Sequence, residues 1–395
     1  MHGSGACRCA LAAIAAVWVC ASAAAGAPPA SPAVAAGDTA ASNSAGGFAL
    51  ATQPRPLVFP RDHAAHPDYR QEWWYVTGNL DATSGERFGF ELTFFRFALQ
   101  PPAAAAAASN TSAAPPPKTS AWRAREIYMA HFAVTDVAEK RFRFAQKLSR
   151  AAIGLAGTQF PPLHVWIDDW SLTAAAEATA AEWSLHATQP GYAIDLVLTP
   201  QSAPVPNGEA GLSRKSDAPA DATYYYSVPR LGVRGRLLRR GETLEVQGLA
   251  WVDREWGSGG LGAAQAGWDW FALQLDDGTS LMFYALRDRD GRRDVHSAGT
   301  WVAASGEARG LANADVAIAV TSEWRNASGE RYPAGWRIRV PSLALDVSVR
   351  PVLPNQELKT TPPYWEGAVD VSGERAGRPL GGRGYVELVG YAQER

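Results

Sequence analysis

The sequence predicts an all-β protein of barrel or sandwich type. Three observations carry this: side chains that alternate with period two, short turns rich in Gly, Asp and Asn, and a Trp-led segment that occurs twice. The alternation runs through 87–97, 126–137, 166–172, 193–198, 243–252, 268–275, 280–286 and 336–340, the pattern of strands with two unlike faces. Turns such as Asp276-Asp277-Gly278 separate them. Trp73-Trp74-Tyr75 leads through Leu80-Asp81 and Gly85 to Phe94-Phe95-Arg96, and Trp268-Asp269-Trp270-Phe271 leads through Leu275-Asp276 and Gly278 to Phe283-Tyr284 and Arg287. Two copies of one unit are therefore expected.

The chain begins like an exported protein. Arg8, the apolar run Ala10 to Val19 and the small residues Ala21-Ser22-Ala23 have the layout of a signal peptide, which predicts cleavage after residue 23 and a periplasmic or secreted product. Lipidation at Cys20 is the alternative, but Trp18 and Val19 stand where small residues are needed. All three cysteines, Cys7, Cys9 and Cys20, lie in this segment. The mature chain then has no thiol for a disulfide, a nucleophile or a metal.

The Ala-, Ser- and Pro-rich stretch 24–56 reads as a disordered leader. Similar composition at 101–121 marks a long loop, and at 200–222 a loop or the approach to a domain boundary. Two units, 57–240 and 241–395, fit the remaining length. A formal net charge of −2, or −3 without Arg8, is no nucleic-acid footprint, and no later run is long and apolar enough to form a transmembrane segment. Fifteen Trp suit a ring-lined cavity for an apolar small molecule. Oligomeric state is not legible.

The strand 243–252 runs into Asp253-Arg254-Glu255-Trp256-Gly257. Alternation puts Leu249, Trp251, Asp253 and Glu255 on one face. A carboxyl beside Trp rings loses solvation, which raises its pKa toward a value useful to a general acid. The plainer reading pairs Asp253 and Glu255 with Arg254 or uses them to cap a turn. Glu72 shares a face with Trp74 and Val76. It either pairs with Arg96 or Arg254, or faces a cavity as a second acid or base. His131, on a face with Ile127, Met129 and Ala133, is a hydrogen-bonded core residue or a pocket residue.

No second His stands at metal-ligand spacing, and the expectation is of no metal and no organic cofactor. Gly257-Ser258-Gly259 lacks the strand-turn-helix setting of a serine nucleophile. The Gly-rich 257–262 lacks the Lys of a phosphate loop and reads as a flexible rim.

The segments 71–80 (QEWWYVTGNL), 88–97 (FGFELTFFRF), 129–137 (MAHFAVTDV), 248–258 (GLAWVDREWGS) and 267–275 (GWDWFALQL) resemble the secreted lipocalin-like hydrolase family, related to carotenoid 1,2-hydratase (hydroxyneurosporene synthase) and kievitone hydratase. The resemblance implies two tandem lipocalin-like (calycin) antiparallel β-barrels packed side by side. It also implies that Asp253 protonates an isoprenoid double bond, aromatic faces stabilise the cation and water captures it, with no cofactor. One position departs from the family pattern: Arg254 replaces a His, and a fixed cation there is expected to lower the Asp253 pKa.

Two readings follow. In the first the protein is an exported hydratase or hydrolase acting on an apolar isoprenoid or lipid-like molecule. Asp253 is its acid, Glu72 or Glu255 assists, and Trp74, His131, Tyr226, Trp251, Trp268 and Trp270 line the pocket. In the second the same pocket belongs to a non-catalytic lipophile carrier. A third possibility is that the Trp motifs only pack the barrels and their interface.

Overall fold

The computed structural model describes residues 44–102, 124–174 and 182–392. The expected signal peptide, most of the expected leader and most of the expected 101–121 loop lie outside them. Among the described residues the only helices are three 3-10 turns of three residues each, so no helix is long and apolar enough to cross a membrane.

The strands form two large antiparallel sheets. The first curls into a nearly closed barrel and the second into a half-barrel. At the centre of the first, Gln71–Ala82 lies between Arg87–Ala98 and Glu242–Gly257, and Glu242–Gly257 in turn pairs with Ala222–Arg239. At the centre of the second, Gln265–Leu275 and Ser280–Asp288 form a hairpin. Arg378–Val389 and then Tyr364–Arg375 continue that sheet.

Strand Glu242–Gly257, assigned to the second unit by sequence, is hydrogen-bonded into the first sheet along both edges. The chain changes sheets after Gly257, not at 240/241. Its two partners are non-local or bulged, which sequence alternation does not report. The 200–222 stretch also differs from a plain loop: Val205–Pro206 and Leu212–Arg214 pair with Ala222–Arg239. The end of the expected leader is packed rather than disordered. Phe48 and Ala51 are buried, and Arg55 holds the buried Asp62 at 3.1 Å, which adds apolar and ionic contacts that composition alone does not reveal.

Each sheet has its own core on its concave face. In the first, Trp74, Val76, Leu92, Phe94, Phe132, Tyr226 and Trp256 pack together, with Phe132 edge-on to Trp170 at 5.6 Å. In the second, Phe271, Phe283, Trp336 and Trp365 do so. The convex faces then meet each other. Asn79 donates to the Gly384 carbonyl at 3.1 Å, and Gln274 donates to Pro229 and Ala250 carbonyls at 2.8 and 2.9 Å. At Gly89 the sheets touch so closely that a Cβ would stand 2.6 Å from Cβ of Ala368. Both faces of the central strands are thus buried, which explains why Phe88 to Phe97 reads as nearly continuous apolar sequence.

Candidate functional site

Where the two convex faces diverge they leave a cleft of about 120 Å³. Alternation decides who reaches it. On Gln71–Ala82 the odd positions Trp73 and Tyr75 point outward from the barrel, and on Glu242–Gly257 Asp253 and Glu255 do. The second sheet contributes Trp268, Trp270, Tyr284, Tyr364 and Glu387, and half-buried Leu261 and Trp73 stand at the rim. The twice-occurring Trp segment therefore supplies both walls, one copy from each sheet.

Asp253 is the most tightly held group in the cleft. It is 4 % exposed and accepts from Tyr225 OH at 2.5 Å, Ser227 Oγ at 2.5 Å and Trp251 Nε1 at 2.8 Å. Burial outweighs those three donors, and with the nearby Glu255 carboxylate it pushes Asp253 up to about 7. The expected depression by Arg254 does not occur. Arg254 lies on the opposite face, inside the barrel, with Nη2 3.0 Å from Glu72. A chain of donors fixes Asp253 to the second sheet: Trp270 Nε1 donates to Tyr225 OH at 3.0 Å, and Tyr225 donates to the carboxyl.

Glu255 is neutralised. Lys215 Nζ stands 3.1 Å from it, Thr223 donates to it, and the ammonium lies 4.3 Å from the centre of the Tyr284 ring. Glu387 faces the first sheet and accepts from Trp268 Nε1 at 2.7 Å. Its burial, followed by neighbouring acids, raises it to about 8.

Of the residues singled out by sequence, Asp253, Glu255, Trp268 and Trp270 line the cleft, and Trp251 touches it through its bond to Asp253. Glu72, Trp74 and Tyr226 do not. Glu72 is fully buried in the barrel, bound by Arg96 and Arg254 and accepting from the His66 amide. Those cations hold it far below the usual carboxylate range against its burial, so the ion-pair reading applies. Trp74 packs under Arg254, whose guanidinium carbon is 3.9 Å from the ring centre, and donates to the His63 carbonyl. Tyr226 meets His63 at 2.5 Å. His131 stands one layer behind the cleft, 2.8 Å from Tyr364 OH and 2.9 Å from Gln146 Nε2. Burial drives it down to about 3, so it is a neutral hydrogen-bonding residue.

Sequence reasoning missed Glu387, Glu91, Glu366, Lys215 and Tyr364. A signal was present for Glu91, a single acid in the Phe-rich run 88–97 with apolar neighbours on both faces.

A nearly closed barrel and a half-barrel, back to back around a buried acid in an aromatic cleft, define a tandem lipocalin-like protein with an interfacial site. The chain belongs to the AttH-like family, whose model matches residues 50–391. Its structure is similar to that of a protein assigned as AttH from Nitrosomonas europaea, with a TM-score of 0.73, 34% identity and coverage of 87% of this chain and 100% of that one. It is also similar to kievitone hydratase from Nectria haematococca, with a TM-score of 0.64, 16% identity and coverage of 88% and 98%. Dehydratase asqC from Emericella nidulans is 26% identical over 220 residues, 52% of this chain. The chain thus spans about 60% of the length of that curated relative. The family relationship read from the motifs and the all-β tandem architecture are borne out.

Proposed function

We propose that this protein is an exported hydratase or dehydratase that adds water to, or removes it from, an apolar small molecule in the cleft, using side chains alone. The observation that carries this is Asp253: a carboxyl walled by aromatic rings, held by three donors and raised to about 7. Such a group carries a proton near neutral pH and can give it up. In hydration, Asp253 transfers its proton to an alkene carbon, and the faces of Tyr75 and Trp270 lie beside the cation that forms. Water captures the cation, and its surplus proton returns to the Asp253 carboxylate. Dehydration runs the same steps backward. Two relatives, a hydratase and a dehydratase, support this class of reaction.

Native mass spectrometry of protein purified from an exporting host tests the reading. A hydrated or dehydrated partner of a co-purifying apolar molecule, absent with Asp253→Asn, is the expected result. Recovery of the same molecule unchanged from both proteins would make the cleft a carrier site.

A further inference from the structure

Beneath the cleft lies a second acidic group that the proposed chemistry does not use. Tyr75, on the first sheet, donates to Glu366 on the second at 2.7 Å. Tyr364, on the second sheet, donates to Glu91 on the first at 2.9 Å. The two bonds cross the interface in opposite directions. Both tyrosines line the cleft, and both carboxyls are 0 % exposed.

The backbone places the two acids together. The sheets touch at Gly89 and Ala368; Glu91 is one same-face step from Gly89 and Glu366 one same-face step from Ala368. Thr77 sits opposite Glu91 on the neighbouring strand, and the Tyr385 hydroxyl reaches the Gly89 contact. One oxygen of each carboxyl, Glu91 Oε2 and Glu366 Oε2, has no hydrogen-bond partner among the described residues, and neither has Thr77 Oγ1. The charge of one opposes ionisation of the other, so the pair becomes an anion as the pH passes about 7 while its second ionisation is held back. Burial pushes Glu91 up to about 7 and Glu366 well above the usual carboxylate range, the latter raised further by Glu91.

The lining of the cleft sets no unpaired cation against this pair. Lys215 is the one cation among its lining residues, and Glu255 neutralises it at 3.1 Å. Asp253 and Glu387 are the remaining ionisable carboxyls there, and His131 behind Tyr364 is neutral. Aromatic faces above a buried anion attract positive charge in place of water.

We propose that Glu91 and Glu366, through Tyr364 and Tyr75, make the cleft floor a cation-selecting subsite, whose ligand is a tertiary ammonium or the carbocation that an apolar substrate forms. This deepens the hydratase reading by restricting its substrates to molecules that react through a tertiary cation. The subsite itself requires no turnover.

The test compares two probes at pH 8, an N,N-dimethylalkylamine and the branched alkane of the same shape, by Trp fluorescence titration. The wild-type protein should bind the amine tighter, and Glu91→Gln/Glu366→Gln should lower the amine-to-alkane affinity ratio by about tenfold while leaving alkane binding nearly unchanged. An unchanged ratio overturns the subsite. If the double variant does not fold, Glu91→Gln and Glu366→Gln are read singly against the same criterion. Asp253→Asn separates the two ideas: loss of turnover with the ratio kept supports both, and an amine preference that vanishes only in Asp253→Asn assigns the charge to Asp253 and overturns the subsite.

Discussion

Arg254 Nη2 lies 3.0 Å from Glu72 Oε2, inside the first barrel and across the strand from Asp253. Adjacent residues of one strand thus serve different compartments, the cation in the barrel and the acid in the cleft. Removing one partner of a buried pair leaves the other charge unsolvated. Arg254→Met is therefore expected to cost about 3 kcal/mol in urea unfolding, and adding Glu72→Gln should restore part of it. A loss below about 1 kcal/mol would show that Arg96 alone satisfies Glu72.

Stability should fall between pH 6.5 and 8. Asp253 and Glu91 are raised to about 7 and Glu387 to about 8, so the folded chain holds protons that the unfolded chain has released. Their contribution is full below the unfolded values and is lost as pH rises through the folded ones. His63 and His131 are lowered from 6.5 to about 4 and 3. They oppose this only below pH 6.5, where the unfolded chain takes up protons. From pH 6.5 to 8 the three acids should remove on the order of 3 kcal/mol. Chemical unfolding at those two pH values checks the slope, and Glu387→Gln should flatten it.

Trp270→Phe cuts the donor to Tyr225 while keeping a ring in the wall. The lost bond is worth about 1 kcal/mol, so turnover should drop about fivefold with folding intact. Asp253 should also titrate differently in carboxyl NMR. No change in that titration would mean Tyr225 is held by other contacts.

Gly89→Ala places a methyl 2.6 Å from Cβ of Ala368 and 2.9 Å from Tyr385 OH. The Ala368 Cβ is fixed to its own backbone and has no rotamer to move to, so it does not give cheaply. A loss of about 2 kcal/mol is expected, and Ala368→Gly in the same chain should recover part of it. Thermal unfolding of the wild-type protein and the two variants decides.

Much of the site was legible in the residue pattern, because alternation correctly put Trp251, Asp253 and Glu255 together. What alternation cannot say is which of two buried faces is the cavity. Trp74 and Tyr226 went to the barrel core because their neighbours Tyr75 and Tyr225 took the cleft face. Arg254 was misread for a related reason: adjacency in sequence suggested a charge next to Asp253, whereas the pleat separates the two across the sheet. Glu387, Glu366 and Tyr364 lie far along the chain, and only the meeting of the sheets brings them in.

The strand Glu242–Gly257 has a further consequence, for how the chain acquires its shape. Gln71 must wait for Gly257 and Ala82 for Val246 before the middle of the first sheet can form. Such long-range pairing makes closure slow relative to local hairpins. A fragment ending at residue 240 should stay unfolded by circular dichroism, since two central strands each lack an edge partner. During synthesis the leading half has no finished state of its own, and assembly begins only after most of the polypeptide has been made.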